Sequence, residues 1–189
     1  VAIFFLFPLS VTRADIATGL VSHYKLDETS GTTATDSAGT NTGTVSGATF
    51  TTGKIGNGLS FNGTNDVIKP TSNFPTFTAF TATAWVKLDD LAAVRGIFTS
   101  RNGTNSSFRF RVETNGVVRL CMGDASTVDC TTTTAGVIQA GKFYHIAVTG
   151  QSAVEGNIYI DGVLVKNKTT TQAIGAPTSF GYIGTAWNT

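Results

Sequence analysis

Residues 142–165 read KFYHIAVTGQSAVEGNIYIDGVLV, and they hold a histidine and two acids close enough together to suggest an active site. Alternation gives a different answer. Phe143, His145 and Ala147 fall on one face of an extended segment, while Tyr144, Ile146 and Val148 fall on the other. His145 is therefore expected to be a hydrogen-bonded residue inside a strand buried on both sides, not a general base over a cleft. Asp161-Gly162 is the two-residue signature of a type I′ hairpin turn, pairing Ile160 with Val163 and Ile158 with Val165 on one apolar face. Glu155 lies in the connecting loop QSAVEG and has no catalytic partner nearby. The stretch reads as two strands and their turn.

Outward from it, short β-rich runs recur between Gly, Asn, Asp and Thr clusters, and no helical period of useful length interrupts them. Strands are predicted at 19–26, 57–61, 66–69, 79–88, 96–101, 107–113, 117–122, 142–149, 157–161, 163–167 and 180–185. In FTATAWVKL (80–88), Phe80, Ala82, Ala84, Val86 and Leu88 make an apolar face, and Thr81, Thr83, Trp85 and Lys87 a mixed one. Trp85 is nevertheless expected in the core, because its strand is central. In FRFRVETNGVVRLCM (108–122), a two-residue Asn115-Gly116 turn would set Val112 against Arg119. A three-residue loop, Thr114 to Gly116 with Gly116 left-handed, instead pairs Val112 with Val118 and Phe110 with Leu120. That register gathers Arg109, Arg111, Arg119 and Cys121 on the opposite face. The arginine group has two readings: a docking surface for an acidic ligand such as a uronic-acid polymer or sulfated glycan, or a solvated sheet face partly neutralised by Glu113.

The chain has 189 residues, enough for one domain with a sizeable core. Charged residues make up 13%, about half the usual share, so hydroxyls and amides must cover the surface. A formal net charge of +1 favours neither nucleic acid nor an anionic membrane. The first residues, VAIFFLFPLSVTRADIATG, are too short an apolar run to span a bilayer but match the apolar region of an export signal. Residues 1–14 are expected to be the remnant of that signal, with residues 15–189 forming the domain, and without an initiator Met the chain reads as a fragment at this end. No membrane insertion is expected. Cys121 and Cys130, nine positions apart, read as one disulfide worth roughly 2.5 to 3 kcal/mol by loop entropy, with unpaired thiols as the alternative.

The segments LVSHYKLDETSGTTATDSAGTNTGTVSGATFTTGKIGNGLSFNGTNDVI (20–68), FTATAWVKL, FYHIAVTG (143–150) and NIYIDGVLV (157–165), in this order and spacing, resemble the laminin-G-like jelly roll of the concanavalin A-like lectin/glucanase superfamily. VRGIFTSRNGTN (94–105) is more distantly similar to pentraxins. The resemblance implies an all-β, two-sheet antiparallel jelly-roll sandwich, a non-catalytic module of secreted or cell-surface proteins that binds glycan or a surface protein as part of a larger multidomain chain. The family's final acidic strand would follow GYIGTAWNT (181–189), so the chain is expected to lack its last strand and to leave 19–26 as an open edge.

The resemblance also implies calcium, which takes several oxygen ligands. Asp36 and Asn41 in DSAGTN and Asn65 and Asp66 in NGTND supply a candidate set if the two loops meet, and turn chemistry accounts for the same residues if they do not. A retaining hydrolase needs two carboxylates on one site, and neither the related hydrolases' E-x-D-x-x-E run nor any nucleophile elbow occurs here. The domain is therefore expected not to be an enzyme. Carbohydrate binding would draw on Asn102, Asn105, Tyr182 and Trp187 as well as Arg109, Arg111 and Arg119. An adhesive or spacer role is the second reading. Sequons stand at Asn62, Asn102, Asn105 and Asn167.

Overall fold

A computed structural model describes residues 18–75, 77–102, 105–124, 127–170, 172–175 and 179–185. The expected signal and Trp187 lie outside them. Among the described residues there are fourteen strands: β1 (Thr33–Ala34), β2 (Gly43–Ser46), β3 (Thr49–Thr52), β4 (Asn57–Ser60), β5 (Val67–Pro70), β6 (Ala79–Lys87) and β7 (Arg95–Asn102), then β8 (Asn105–Val112), β9 (Val118–Gly123), β10 (Val128–Thr132), β11 (Phe143–Gln151), β12 (Glu155–Ile160), β13 (Val163–Thr169) and β14 (Ser179–Ile183). Eight form one sheet in the order β1-β2-β5-β14-β7-β8-β9-β10, and four a second in the order β13-β12-β11-β6. All pairings are antiparallel, and β3–β4 stand apart as a hairpin. The chain is the expected antiparallel sandwich.

Period-two alternation builds the core. Phe108, Phe110, Val112, Val118, Leu120 and Met122 face inward from β8 and β9 and meet Ile146, Val148, Ile158 and Ile160 of the second sheet, with Phe80, Ala82 and Val86 packed against them. At about 25 cal/mol per Å² of apolar area removed from water, each of these large side chains contributes about 2 kcal/mol. A second, smaller core of Ala34, Val45 and Ile68 lies under Tyr24, Phe61 and Ile183.

The β8–β9 register is the expected one, with Val112 opposite Val118 and Phe110 opposite Leu120. Its loop, Thr114–Gly116, holds both Asn115 (φ 60°) and Gly116 (φ 71°) left-handed. Gly116 is required there, since a Cβ would come within 2.0 Å of the Ile138 carbonyl oxygen.

Several expectations are corrected. Residues 19–26 form no strand; their β-pairing is limited to the isolated Tyr24–Asp36 bridge. β1, β2, β3 and β10 were not anticipated, being short and rich in Thr. Glu155 begins β12 rather than sitting in a loop. Asp161 and Gly162 both have positive φ, and Ile160 opposes Val163, but a bulge then shifts the ladder so that Ile158 opposes Lys166. β13 is an edge strand, and Val163 and Leu164 are 65% and 51% exposed rather than packed.

Candidate functional site

Strand register brings four of the ligand-binding candidates onto one face. Tyr182 on β14 opposes Thr99 on β7, Thr99 opposes Arg109 on β8, Arg109 opposes Cys121 on β9, and Cys121 opposes Cys130 on β10. In the adjacent row Gly96, Arg111, Arg119 and Thr132 follow one another across the same strands. Their neighbours along each strand, Phe98, Phe110 and Leu120, point into the core, so the arginines occupy the outer face of the eight-stranded sheet. The cysteines close the edge of this face as a disulfide. The backbones of Asn102 and Asn105 pair at the β7–β8 turn beyond the same rows.

Like charges placed directly opposite repel, and Arg111 and Arg119 are so placed. Glu113 resolves this: its Oε1 accepts from Arg111 Nε at 2.7 Å and lies 3.2 Å from Arg119 Nη1. The neutralising role expected for Glu113 is thus realised, and one carboxylate sits between two guanidinium groups. Arg119 stays 37% exposed, whereas Arg111 is at 11%. Arg119 Nε and the Thr99 hydroxyl are buried without a hydrogen-bond partner.

One basic residue of this face escaped the sequence reading. Ile183 pairs with Ile68, both turned inward, so Lys69 on β5 stands on the outer face next to the position of Tyr182. The pairing joins residues more than a hundred positions apart, and no local pattern announces it.

The four proposed calcium ligands do not converge. β2 pairs with β5 from Gly43↔Pro70 to Ser46↔Val67, which puts Asn41 at one end of that ladder and Asp66 at the other. Asn41 there bonds to Ser72. Asp36 is consumed locally: Oδ1 accepts from the N–H groups of His23, Ala38 and Gly39 and Oδ2 from that of Asn41. Burial alone would raise its carboxyl, but these donors hold it well below the usual range. Tyr24, whose hydroxyl donates to the Asn41 carbonyl, is pushed up to about 12 by burial and then by the nearby Asp36 charge. Asp66 accepts from Asn62 N–H, and Asn65 accepts from the Asn62 amide. Among the described residues no three His, Cys, Asp or Glu side chains are placed to hold a metal ion.

Trp85 and His145 are also corrected. They oppose each other on the outer face of the four-stranded sheet, ring centroids 5.3 Å apart, and Trp85 is 43% exposed with Lys54 over its ring. The polar neighbours Thr83 and Lys87 at alternate positions carried that signal. His145 is half-buried, and its backbone N–H donates to Asp161 Oδ1 at 2.9 Å, so Asp161 both turns the chain and ties the turn to β11.

Residues 61–189 match the laminin-G family model described as concanavalin A-like lectin/glucanases superfamily. No curated protein matches the sequence. Among solved structures, domain 4 of AbnA, a GH43 extracellular arabinanase from Geobacillus stearothermophilus in complex with arabinotriose, is 19% identical with a TM-score of 0.70, covering 89% of this chain and 84% of that one. The binding domain of Paraclostridial Mosquitocidal Protein 1 is 16% identical with a TM-score of 0.68, covering 86% of this chain. The receptor binding domain of botulinum neurotoxin type G is 16% identical with a TM-score of 0.63, covering 82%. The chain spans 42% and 41% of those two toxin domains. Trypanosoma rangeli sialidase is also similar, at 20% identity and a TM-score of 0.58, with 26% of its chain covered. At these identities the likeness is one of fold.

Proposed function

Because the chain belongs to the laminin-G family of the concanavalin A-like lectin/glucanases superfamily, we propose that it is a non-catalytic carbohydrate-binding module whose site is the outer face of the eight-stranded sheet. One observation carries the reading: Tyr182, Thr99 and Arg109 lie in one cross-strand row, with Arg111 and Arg119 in the next. An aromatic ring beside planar, multiply donating side chains on rigid strands suits a sugar, which offers an apolar ring face and a rim of hydroxyls. Support for a binding role over a catalytic one comes from the acids. Asp36, Asp66, Glu113, Asp129 and Asp161 are each engaged by backbone N–H groups or by a cation. The disulfide and the arabinanase and toxin neighbours support an extracellular setting within a longer polypeptide.

Glycan-array screening followed by calorimetry tests the reading. Specific oligosaccharide binding that is lost in Tyr182→Ala and Arg109→Ala is expected. Binding that survives both substitutions would remove this face from consideration. A second reading, adhesion to protein, is favoured by the exposed Val163 and Leu164 on the β13 edge. If it holds, Leu164→Lys abolishes partner capture while glycan binding is absent.

A further inference from the structure

We infer that Asn167 is a site of covalent modification: an N-linked glycan carried on β13 covers the apolar end of that strand. The inference rests on the extracellular setting proposed above and not on any ligand the domain binds.

Strand geometry is the first argument. Asn167 pairs with Asn157, Thr169 with Glu155 and Leu164 with Tyr159. Asn157 and Tyr159 oppose Thr149 and Ala147, which alternate with the core residues Ile146 and Val148. Asn167, Thr169 and Leu164 therefore share the outer face of the four-stranded sheet. The acceptor amide and the hydroxyl two positions on, which together make the glycosylation signal, stand side by side and exposed. Lys168 between them turns the other way, to Asp129 and the Cys130 carbonyl. Asn62, the acceptor of a second sequon, is placed differently. Its Oδ1 accepts from the N–H groups of Thr64, Asn65 and Asp66 and its amide donates to Asn65, which locks the side chain in a turn.

The edge itself is the second argument. Val163, Leu164 and Val165 are 65%, 51% and 37% exposed on the terminal strand of the sheet. An open apolar edge invites aggregation, and proteins restrain it with lysines, bulges or a cover. β13 has Lys166 and a bulge between Ile158 and Tyr159 of its neighbour, and both oppose extension of the ladder by another strand. Neither covers the three apolar side chains. Leu164 and Asn167 oppose residues two apart on β12, so they are about 7 Å from one another along the strand. The first sugars of a bulky, solubilising glycan on Asn167 reach that distance.

Attachment balances simply. Asn167 Nδ2 displaces a polyprenyl diphosphate from the anomeric carbon of a lipid-linked oligosaccharide. A C–N bond forms, the C–O bond to diphosphate breaks with its electron pair, and the amide gives one proton to a base of the transferase. The N–H that remains can still donate to Asn157 Oδ1, as Asn167 does in this structure.

The experiment is secretion of the intact chain from eukaryotic cells behind a supplied leader, with peptide mass mapping of each sequon before and after enzymatic deglycosylation. Asn167 is expected to be occupied, with the glycan lost in Asn167→Gln and Thr169→Ala and kept in Thr169→Ser. Circular dichroism identifies a variant that has failed to fold, and mapping of the unsubstituted chain then decides. The deglycosylated chain should sediment as larger species, and Leu164→Thr should return it to the size of the glycosylated one. An unoccupied Asn167 in folded, secreted protein overturns the proposal, whether or not Asn62 is occupied. Occupancy with no change in self-association on deglycosylation overturns the covering role. So does binding of an extended peptide along β13 of the glycosylated chain, which would assign the edge to a protein partner. Glycan-array binding is read separately, so failure here leaves the carbohydrate-binding reading standing, and the reverse.

Discussion

Arg111 and Arg119 face each other across the β8–β9 ladder and share a single oxygen of Glu113, at 2.7 and 3.2 Å. Without that negative charge, two like charges would be left directly opposed, one of them on the Arg111 side chain that is only 11% exposed. Glu113→Gln is therefore expected to destabilise the fold by about 1–2 kcal/mol at low ionic strength, and by less in high salt. Urea unfolding at two salt concentrations measures this, and a salt-independent loss would contradict it.

Asp36 gives the fold an acid limit. Its carboxyl is depressed in the folded state by the N–H groups of His23, Gly39 and Ala38, against a burial effect in the other direction. A depressed carboxyl contributes stability that is complete above the unfolded value, about 3.9, and is lost as pH falls towards the folded one. Melting temperature should thus decline below about pH 4, and this decline should be shallower in Asp36→Asn, which starts less stable. A variant with the same acid profile as the parent would exclude Asp36 as the cause.

At the alkaline end Tyr24 acts with the opposite sign. Its hydroxyl is raised to about 12, so unfolding is favoured as pH rises above the unfolded value, about 10. Tyr24→Phe should lose about 1 kcal/mol at neutral pH through the missing bond to Asn41, and show a smaller drop between about pH 10 and 12.

Cys121 and Cys130 are directly opposed on neighbouring strands and disulfide-bonded. Replacing both with Ala is expected to cost roughly 2.5 to 3 kcal/mol by chain entropy. Denaturation of the double variant should match that of the reduced parent, and a clear difference would mean that side-chain packing rather than cross-linking is being measured.

Trp85 and Phe110 differ despite similar bulk. Trp85→Ala should cost under about 1 kcal/mol, since the ring already meets solvent, whereas Phe110→Ala should cost about 3–5 kcal/mol by opening a core cavity. Chemical denaturation of both variants compares them, and a large loss at Trp85 would show that Lys54 and His145 bury it more than its exposure indicates.

Much of this fold could be read from alternation, because a period of two fixes which residues share a face. The β8–β9 register and the grouping of Arg109, Arg111 and Arg119 followed from it directly. Centrality of the strand outweighed its alternation in the reading of Trp85 as core, although Thr83 and Lys87 on the same face mark that face as the outer one, which Trp85 and His145 share. Alternation does not foresee bulges: one extra residue in β13 turned an expected apolar pair into Ile158 opposite Lys166. Lys69 and Tyr182 became neighbours through a pairing between distant segments. The calcium set rested on two loops meeting, and the β2–β5 ladder holds them apart.

β14 lies between β5 and β7, so residues 179–183 join the two halves of the larger sheet. A chain emerging from the ribosome can zip β7 to β10 together early, since those partners are close in sequence. Lys69 and Arg109 come onto one continuous surface only when this late segment arrives. Any capacity that depends on both would therefore appear abruptly near the end of synthesis, and a nascent chain halted before Ser179 would carry two separated half-sheets and no complete basic stripe.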